Sequence, residues 1–329
     1  MTGQLKAAAV QVPIAVEVFA PARLHLGFLD LNGRLGRRFG SIGLTIDEIG
    51  TRLTLRVGSD RKVEGPSAGR AESYLDTLAG VLRAPGPLSV TLHQAIPEHV
   101  GLGSGTQLGL AIAAGLDALS GRPRSPHALA TLVERGARSG IGIGSFACGG
   151  FLVDGGRGDH DAPAPIIARA DFPESWRLIL VIDQARRGLS GAVEKSAFAA
   201  LATFPSDTAA HLCRLVIMRL LPGLAEADFA AVSSSIGEIQ DRVGDHFAPV
   251  QGGRYASPHV AAVLDWLRRS GLSGVGQSSW GPTGFALVDS EERARALLRE
   301  LAQRFSQTNL SFQICTARNK GAEIRVRHR

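Results

Sequence analysis

Ile96-Pro97-Glu98-His99-Val100-Gly101-Leu102-Gly103-Ser104-Gly105-Thr106-Gln107 is the stretch from which the fold of this chain can be read. A strand ends, three glycines alternate with other residues, and an apolar helix begins. Glycines let successive backbone N–H groups turn inward toward an anion, and a helix start adds partial positive charge. Gly101, Gly103, Ser104, Gly105 and Thr106 therefore form a candidate phosphate-binding loop, with the Ser104 and Thr106 hydroxyls as donors. Taken alone, the loop fits an ordinary glycine-rich turn with hydroxyl caps equally well. It is neither a Walker A loop nor a dinucleotide fingerprint, because the Gly-Lys-Ser/Thr ending and the required glycine spacing are missing.

Working outward, residues 16–20 and 24–31 read as strands. Asn32-Gly33 reads as a two-residue hairpin turn, since both central residues favour positive φ, and residues 42–46 return. Residues 53–57 and 88–92 alternate as half-buried strands. Residues 106–119 are apolar nearly all round, which predicts a buried helix stopped by Gly121 and Pro123. Ser125-Pro126 is a cap followed by proline at the first helical position, predicting a helix to about residue 138. The continuous apolar run 178–182 predicts a central strand of a second sheet. Helices are expected over 191–203, 207–221, 225–243 and 257–270, then a strand–helix–strand ending over 284–288, 291–305 and 310–316. The proline-rich stretch 161–173 is the expected boundary between domains 1–165 and 166–329. The fold class is α+β, with two sheets each partly covered by helices.

The bulk numbers narrow the function. The 329 residues suffice for a full core, and 44% apolar residues is ordinary for a globular chain. The longest apolar run, around 108–116, falls short of the ~20 residues of a membrane helix. Residues 1–13 lack a signal-peptide core, so a cytoplasmic protein with no membrane association is expected. The net charge of +6 comes almost wholly from arginine, the lysines being Lys6, Lys62, Lys195 and Lys320. That balance suits an anionic small substrate, and arginine with alanine richness also fits a GC-rich genome. No dense basic tract with interleaved aromatics is present, so no nucleic-acid partner is expected. Cys148, Cys213 and Cys315 fit no metal spacing and no disulfide framework, and read as small buried residues.

Pro97 through Gly105 resembles the second motif of the GHMP kinases, their phosphate loop. Ala20-Pro21-Ala22-Arg23-Leu24-His25-Leu26-Gly27 echoes the first motif and Gly274 through Gly284 the third, in the right order. The narrower resemblance is to the β-ribofuranosylaminobenzene 5′-phosphate synthases. It is carried by Arg23 through Gly33, Gly101 through Gln107, Ser139 through Gly142 with Gly149 through Gly156, Gly188 through Gly191 with Glu194-Lys195, and Gly276 through Gly284. The resemblance implies a two-domain GHMP-kinase-like fold: an N-terminal domain of the ribosomal protein S5 domain 2-like type and a ferredoxin-like C-terminal domain. It also implies condensation of 4-aminobenzoate, or 4-hydroxybenzoate, with phosphoribosyl pyrophosphate, releasing CO2 and pyrophosphate in tetrahydromethanopterin biosynthesis. Magnesium is the implied cofactor, and a homodimer is the implied assembly. One departure from the kinase pattern matters: Gly142 stands where mevalonate-type kinases carry a catalytic Asp, and no Asp or Glu occurs between Glu134 and Asp154. Loss of that carboxylate disfavours transfer of a phosphoryl group to an alcohol.

Candidate roles follow. Arg23 and His25 alternate on a strand, so they face one side and could share an anion. Asp30 could hold magnesium or ribose hydroxyls, or merely steady the Asn32-Gly33 turn. Arg37 and Arg38 could close over anions, or be a solvated basic loop. Ser190 and Gly191 open a helix with Lys195 in its early turns and Arg186 and Arg187 just upstream, a candidate second phosphate site. Ser278 and Ser279 could donate to substrate, and Trp280 could stack on the aromatic acid or simply pack. Two other readings compete: a small-molecule GHMP kinase using ATP and magnesium, and a non-catalytic RNA-binding protein, which would need a contiguous basic face.

Overall fold

Alternating burial along two long strands builds the first layer. The computed structural model describes residues 13–159, 162–188 and 191–328. β1 (Pro13–Asp30) pairs antiparallel with β2 (Phe39–Val57), and bulges interrupt the register at 21–23 and 25–27. Val16, Val18 and Ala20 pack in one core, while Ala22, Leu24, Leu26 and Phe28 pack in another. One strand thus links both cores.

The first sheet has the order β11 (Glu323–His328), β1, β2, β4 (Leu88–Gln94), β3 (Lys62–Glu64). From it branch β5 (Phe151–Asp154), paired to β2, and β6 (Ile166–Ala170), paired to β5. Strands from both sides of the 165/166 division therefore share this sheet. Helices α1 (Ala68–Val81), α2 (Ser104–Leu119), α3 (Pro126–Leu132) and α4 (Ile141–Ala147) accompany it. α2 is buried almost throughout, from Gln107 to Leu119, as its all-round apolar sequence predicts.

The second sheet is antiparallel, in the order β10 (Leu310–Cys315), β7 (Arg177–Asp183), β9 (Gly284–Val288), β8 (Val275–Gln277). Its strands thus lie fourth, first, third, second in chain order, the ferredoxin-like arrangement. Between β7 and β8 run α5 (Gly191–Ala200), α6 (Ser206–Leu215), α7 (Leu221–Ala225), α8 (Phe229–Gln251) and α9 (Pro258–Arg269); α10 (Glu291–Arg304) follows β9.

Three expectations are corrected. The turn at Asn32-Gly33 is no two-residue hairpin: residues 31–38 separate the strands, and Asp30 Oδ1 accepts the N–H groups of Asn32 (2.9 Å) and Gly33 (3.3 Å). The helix from Pro126 ends at Leu132, not near 138, because Glu134 (φ 53°) and Gly136 (φ 91°) enter the left-handed region. Its Ser125 cap holds, accepting from the Ala128 N–H at 3.2 Å. The cysteines are free, but only Cys315 is buried; Cys148 is half-buried and Cys213 exposed. Among the described residues one helical run, Ser206–Ala225, is apolar and long enough to cross a membrane. Here it buries Leu212, Leu215, Val216, Leu220 and Leu224 in the core, with a π-turn at Val216–Leu220 just before Pro222.

Candidate active site

The loop at the start of α2 is shaped by left-handed glycines, Gly101 (φ +86°) and Gly103 (φ +89°). A Cβ on Gly101 would lie 2.4 Å from the Ser278 carbonyl oxygen, so no larger residue fits there unless the backbone moves. No side chain caps α2. The N–H groups of its first turn, including Ser104, Gly105 and Thr106, are therefore left without intrahelical acceptors beside the positive end of the helix.

Arginines from separate elements converge on that end. The Arg23 side chain lies 3.4 Å from where a Gly103 Cβ would stand, and its Nη1 donates to the Gly101 carbonyl. Arg70 and Arg135 stand 2.9 and 3.3 Å from the corresponding point on Gly105. Tyr74 donates to the Gly105 carbonyl (3.1 Å) and accepts from Arg135 (2.6 Å). Glu98 pairs with Arg70 (2.9 Å), and Glu194 with Arg138 (2.7 Å). Burial lowers Arg23 to about 10, opposed by the Glu194 charge. Burial also raises Glu194, while Arg138 and Arg23 hold it down.

β1 aligns the next residue of interest. Arg23 and His25 do face the same side, close enough for the Arg23 charge to act on the imidazole. Burial, then Arg23, pushes His25 down to about 3, so its ring is neutral. The His25 N–H donates to Ser278 Oγ (3.0 Å), and the Ser278 hydroxyl donates to the Gly101 carbonyl (2.7 Å). Ser278 therefore ties the third glycine motif to the loop and to β1, and its proton is directed at the loop. The Ser279 N–H donates to the His25 carbonyl (3.3 Å), closing the same seam.

An aromatic pocket adjoins this seam. His25, Phe28, Phe247, Trp280, Ser279 and Gly244 are among the residues that line it. Trp280 packs on Phe247 (centroids 4.5 Å apart) and edge-on to Phe198 (5.1 Å), so it does the packing that sequence allowed. His25 Nε2 and Trp280 Nε1, both buried, have no hydrogen-bond partner among the described residues.

Gly142 sits beside the loop. Its carbonyl accepts from Gln107 Nε2 (2.7 Å), and a Cβ there would lie 3.0 Å from Thr106 Cγ2. The nearby buried Asp154 does not replace the missing carboxylate. It is occupied by Ser41, Ser139 (3.0 Å) and the N–H groups of Gly140 (3.0 Å) and Gly156 (2.9 Å), while burial raises it.

Other predicted residues are not gathered here. Asp30 lies seven positions beyond Arg23, roughly 20 Å at ~3.3 Å per residue, and its carboxylate serves the turn. Arg37 donates to the Gly155 and Gly156 carbonyls (2.7 Å each), and Arg38 is an exposed residue packed over Gly33. Arg186 donates to the Ala256 carbonyl (2.9 Å) and Arg187 is exposed. Ser190 and the Lys195 side chain lie outside the described residues; Gly191 starts α5 in a left-handed conformation (φ 60°). Sequence reasoning passed over Arg70, Tyr74, Arg135 and Arg138. The spacing of Arg70 and Tyr74, four apart on one helix face, was the available signal. Among the described residues, no group of three or more His, Cys, Asp or Glu could hold a metal ion.

Comparison with known proteins bears on this geometry. Residues 69–150 match the GHMP kinases N terminal domain and residues 220–307 the GHMP kinases C terminal domain. A β-ribofuranosylphenol 5′-phosphate synthase of Methanothermobacter thermautotrophicus is 32% identical over 300 residues, covering 84% of this chain and 90% of that protein. The protein of the same name from Archaeoglobus fulgidus is 29% identical, covering 93% and 98%. Among solved structures, homoserine kinase from Cytophaga hutchinsonii superposes with a TM-score of 0.64 at 16% identity, covering 98% of this chain and 100% of that one. Mevalonate diphosphate decarboxylase from Staphylococcus aureus gives 0.62 at 16% identity, covering 95% and 98%. These structural likenesses establish the fold.

Proposed function

The chain belongs to the β-ribofuranosylphenol 5′-phosphate synthase family, and from that membership we propose that it joins a 4-substituted benzoate to phosphoribosyl pyrophosphate with loss of CO2 and pyrophosphate. The observation that supports the reading is the loop itself, its open helix start ringed by Arg23, Arg70 and Arg135, with Gly142, the position the resemblance sets against a kinase carboxylate, beside Thr106.

In this reading the diphosphate lies on the first-turn N–H groups of α2, with the arginines about it. The bond between the anomeric carbon and oxygen breaks, and its electron pair leaves with the diphosphate. The arginines and helix start stabilise that developing charge. The ring carbon bearing the carboxylate, activated by the para hydroxyl or amino group, bonds to the anomeric carbon. The bond from that ring carbon to the carboxylate then breaks and its electrons restore aromaticity. No ring proton is removed, so the missing carboxylate and the neutral His25 present no obstacle.

Magnesium does not fit here as a resident centre. Glu98 and Glu194 are each paired to an arginine, and Asp30 caps a distant turn. A magnesium ion held chiefly by diphosphate oxygens would arrive as part of the substrate, and no step above depends on it.

The test uses carboxyl-labelled 4-hydroxybenzoate with phosphoribosyl pyrophosphate. CO2 and pyrophosphate should appear in equal amounts without ATP. Turnover of ATP with an alcohol acceptor, and no labelled CO2, would refute the proposal.

A further inference from the structure

We propose that Glu194 is a specificity-determining residue of this site: its carboxylate accepts the vicinal hydroxyl groups of the ribosyl donor and so distinguishes ribose from 2-deoxyribose. The inference rests on the synthase reading and adds to it the group that reads the sugar.

A ribosyl diphosphate makes two demands on the loop. Its phosphates need cations and N–H groups, which the arginines and the start of α2 supply. Its free hydroxyls are donors and need acceptors. Most acceptors beside the loop are occupied. The Gly101 carbonyl takes Arg23 and Ser278, the Gly105 carbonyl takes Tyr74, and the His99 carbonyl takes the Gly188 N–H at 2.6 Å. Glu98 takes Arg70 and the Ser67 hydroxyl (2.7 Å). Asp30, the sequence candidate for ribose hydroxyls, is spent on its own turn. Glu194, by contrast, bonds directly to Arg138 alone among the described residues. An ionised carboxylate offers about four acceptor sites, so Glu194 has capacity to spare.

The fold also holds that carboxylate in place. The chain enters α5 between the loop and the third glycine motif: beside its bond to His99, a Cβ on Gly188 would lie 2.2 Å from the Gly281 carbonyl oxygen. Glu194 and Phe198 are four apart on α5 and share a face. Arg138 joins them, bonding Glu194 at 2.7 Å with its guanidinium carbon 5.4 Å from the Phe198 ring centre. Phe198 in turn packs edge-on against Trp280 (5.1 Å) and Phe28 (5.9 Å). The carboxylate is thereby kept where its charge acts on Arg23, itself bonded to the loop. The pair is not sealed: the Glu194 and Arg138 side chains keep 16% and 31% exposure, which leaves them open to a ligand. A carboxylate so placed repels an anionic substrate, and recognition of its hydroxyls offsets that cost.

Calorimetry on the whole protein, without the aromatic substrate, tests this apart from turnover. Phosphoribosyl pyrophosphate should bind about tenfold tighter than its 2-deoxy analogue, the equivalent of one hydrogen bond to a charged group. Glu194→Gln should bring the two affinities within about threefold. Inorganic pyrophosphate, which has no sugar, should bind that variant at least as tightly as the unaltered protein, because a negative charge has left the site. Equal binding of the two sugar diphosphates to the unaltered protein would overturn the proposal even if the variant failed to fold. So would a folded variant that keeps the tenfold preference, or one that loses affinity for phosphoribosyl pyrophosphate and pyrophosphate alike; either would mean that Glu194 only braces Arg138. Binding of pyrophosphate but not of phosphoribosyl pyrophosphate to the unaltered protein would overturn the synthase reading itself, and this proposal with it.

Discussion

Ser278→Ala removes a single oxygen that couples the phosphate loop to β1, and its cost can be worked from the contacts. The hydroxyl accepts the His25 N–H at 3.0 Å and donates to the Gly101 carbonyl at 2.7 Å, and the residue is fully buried. Gly101 keeps its second donor, Arg23, so its carbonyl is not orphaned. The His25 N–H has no such reserve and would be left unpaired in the core, at a cost of about 1–3 kcal/mol. The lost Gly101 bond adds under ~1 kcal/mol, giving about 2 kcal/mol in total. For a chain larger than 250 residues this lowers Tm by roughly 3 °C, read by calorimetry or circular dichroism. The same change loosens the loop, so kcat/KM for phosphoribosyl pyrophosphate should fall about tenfold, mainly through KM. A variant with the unaltered Tm and the unaltered kcat/KM would show that the seam does not position the loop.

Three further outcomes are expected. Gly101→Ala places a Cβ 2.4 Å from the Ser278 carbonyl at φ +86°, so kcat/KM should drop at least about tenfold from left-handed strain of ~1–2 kcal/mol plus the displaced loop; steady-state kinetics with a melting control decides it. Gly142→Asp sets a carboxylate beside Thr106 in the anion site, and repulsion should weaken pyrophosphate binding by calorimetry about tenfold, where an unchanged Kd would place Gly142 outside the site. Arg318, followed by Lys320, lowers Glu323 from 4.5 to about 2. Its stabilisation is therefore complete above its unfolded value and lost as pH falls from 4.5 through about 2; Glu323→Gln should flatten the Tm–pH curve in that window alone, and identical curves would remove the pair from the acid limb.

What sequence made legible was local. The loop, α2 and the Ser125 cap of α3 follow from spacing, caps and burial that act within a few residues. α1 escaped notice although Ala71, Leu75 and Leu78 form a buried stripe, because Gly69 and Gly80 interrupt its helical character. α4 carries Gly142 and Gly144 for a different reason: a Cβ on either would press on Thr106 or Ile166, a packing need that spacing cannot reveal. The arginine ring was hidden more thoroughly. Arg23, Arg70 and Arg135 come from β1, α1 and the turn after α3, and only the tertiary fold makes them neighbours. Asp30 was drawn into the site by its place in a motif, when its carboxylate answers to two N–H groups of the next turn.

The electrostatics of the assembled site favour one kind of chemistry. Around the loop stand four arginines, Arg23, Arg70, Arg135 and Arg138, against two glutamates, Glu98 and Glu194, an excess of two positive charges. Burial lowers Arg23 to about 10, which still leaves it protonated at neutral pH. His25, at about 3, is too weak a base to take a proton from an alcohol, and the position that the resemblance to mevalonate-type kinases assigns to a carboxylate is glycine here. A site rich in fixed positive charge accelerates a reaction whose nucleophile needs no proton removed. Displacement of a diphosphate by a ring carbon that loses CO2 is such a reaction: its developing negative charge sits on the leaving group, where the fixed positive charges already are. The same arginines suit ATP's phosphates, and it is the glycine at position 142 that disfavours transfer of a phosphoryl group to an alcohol.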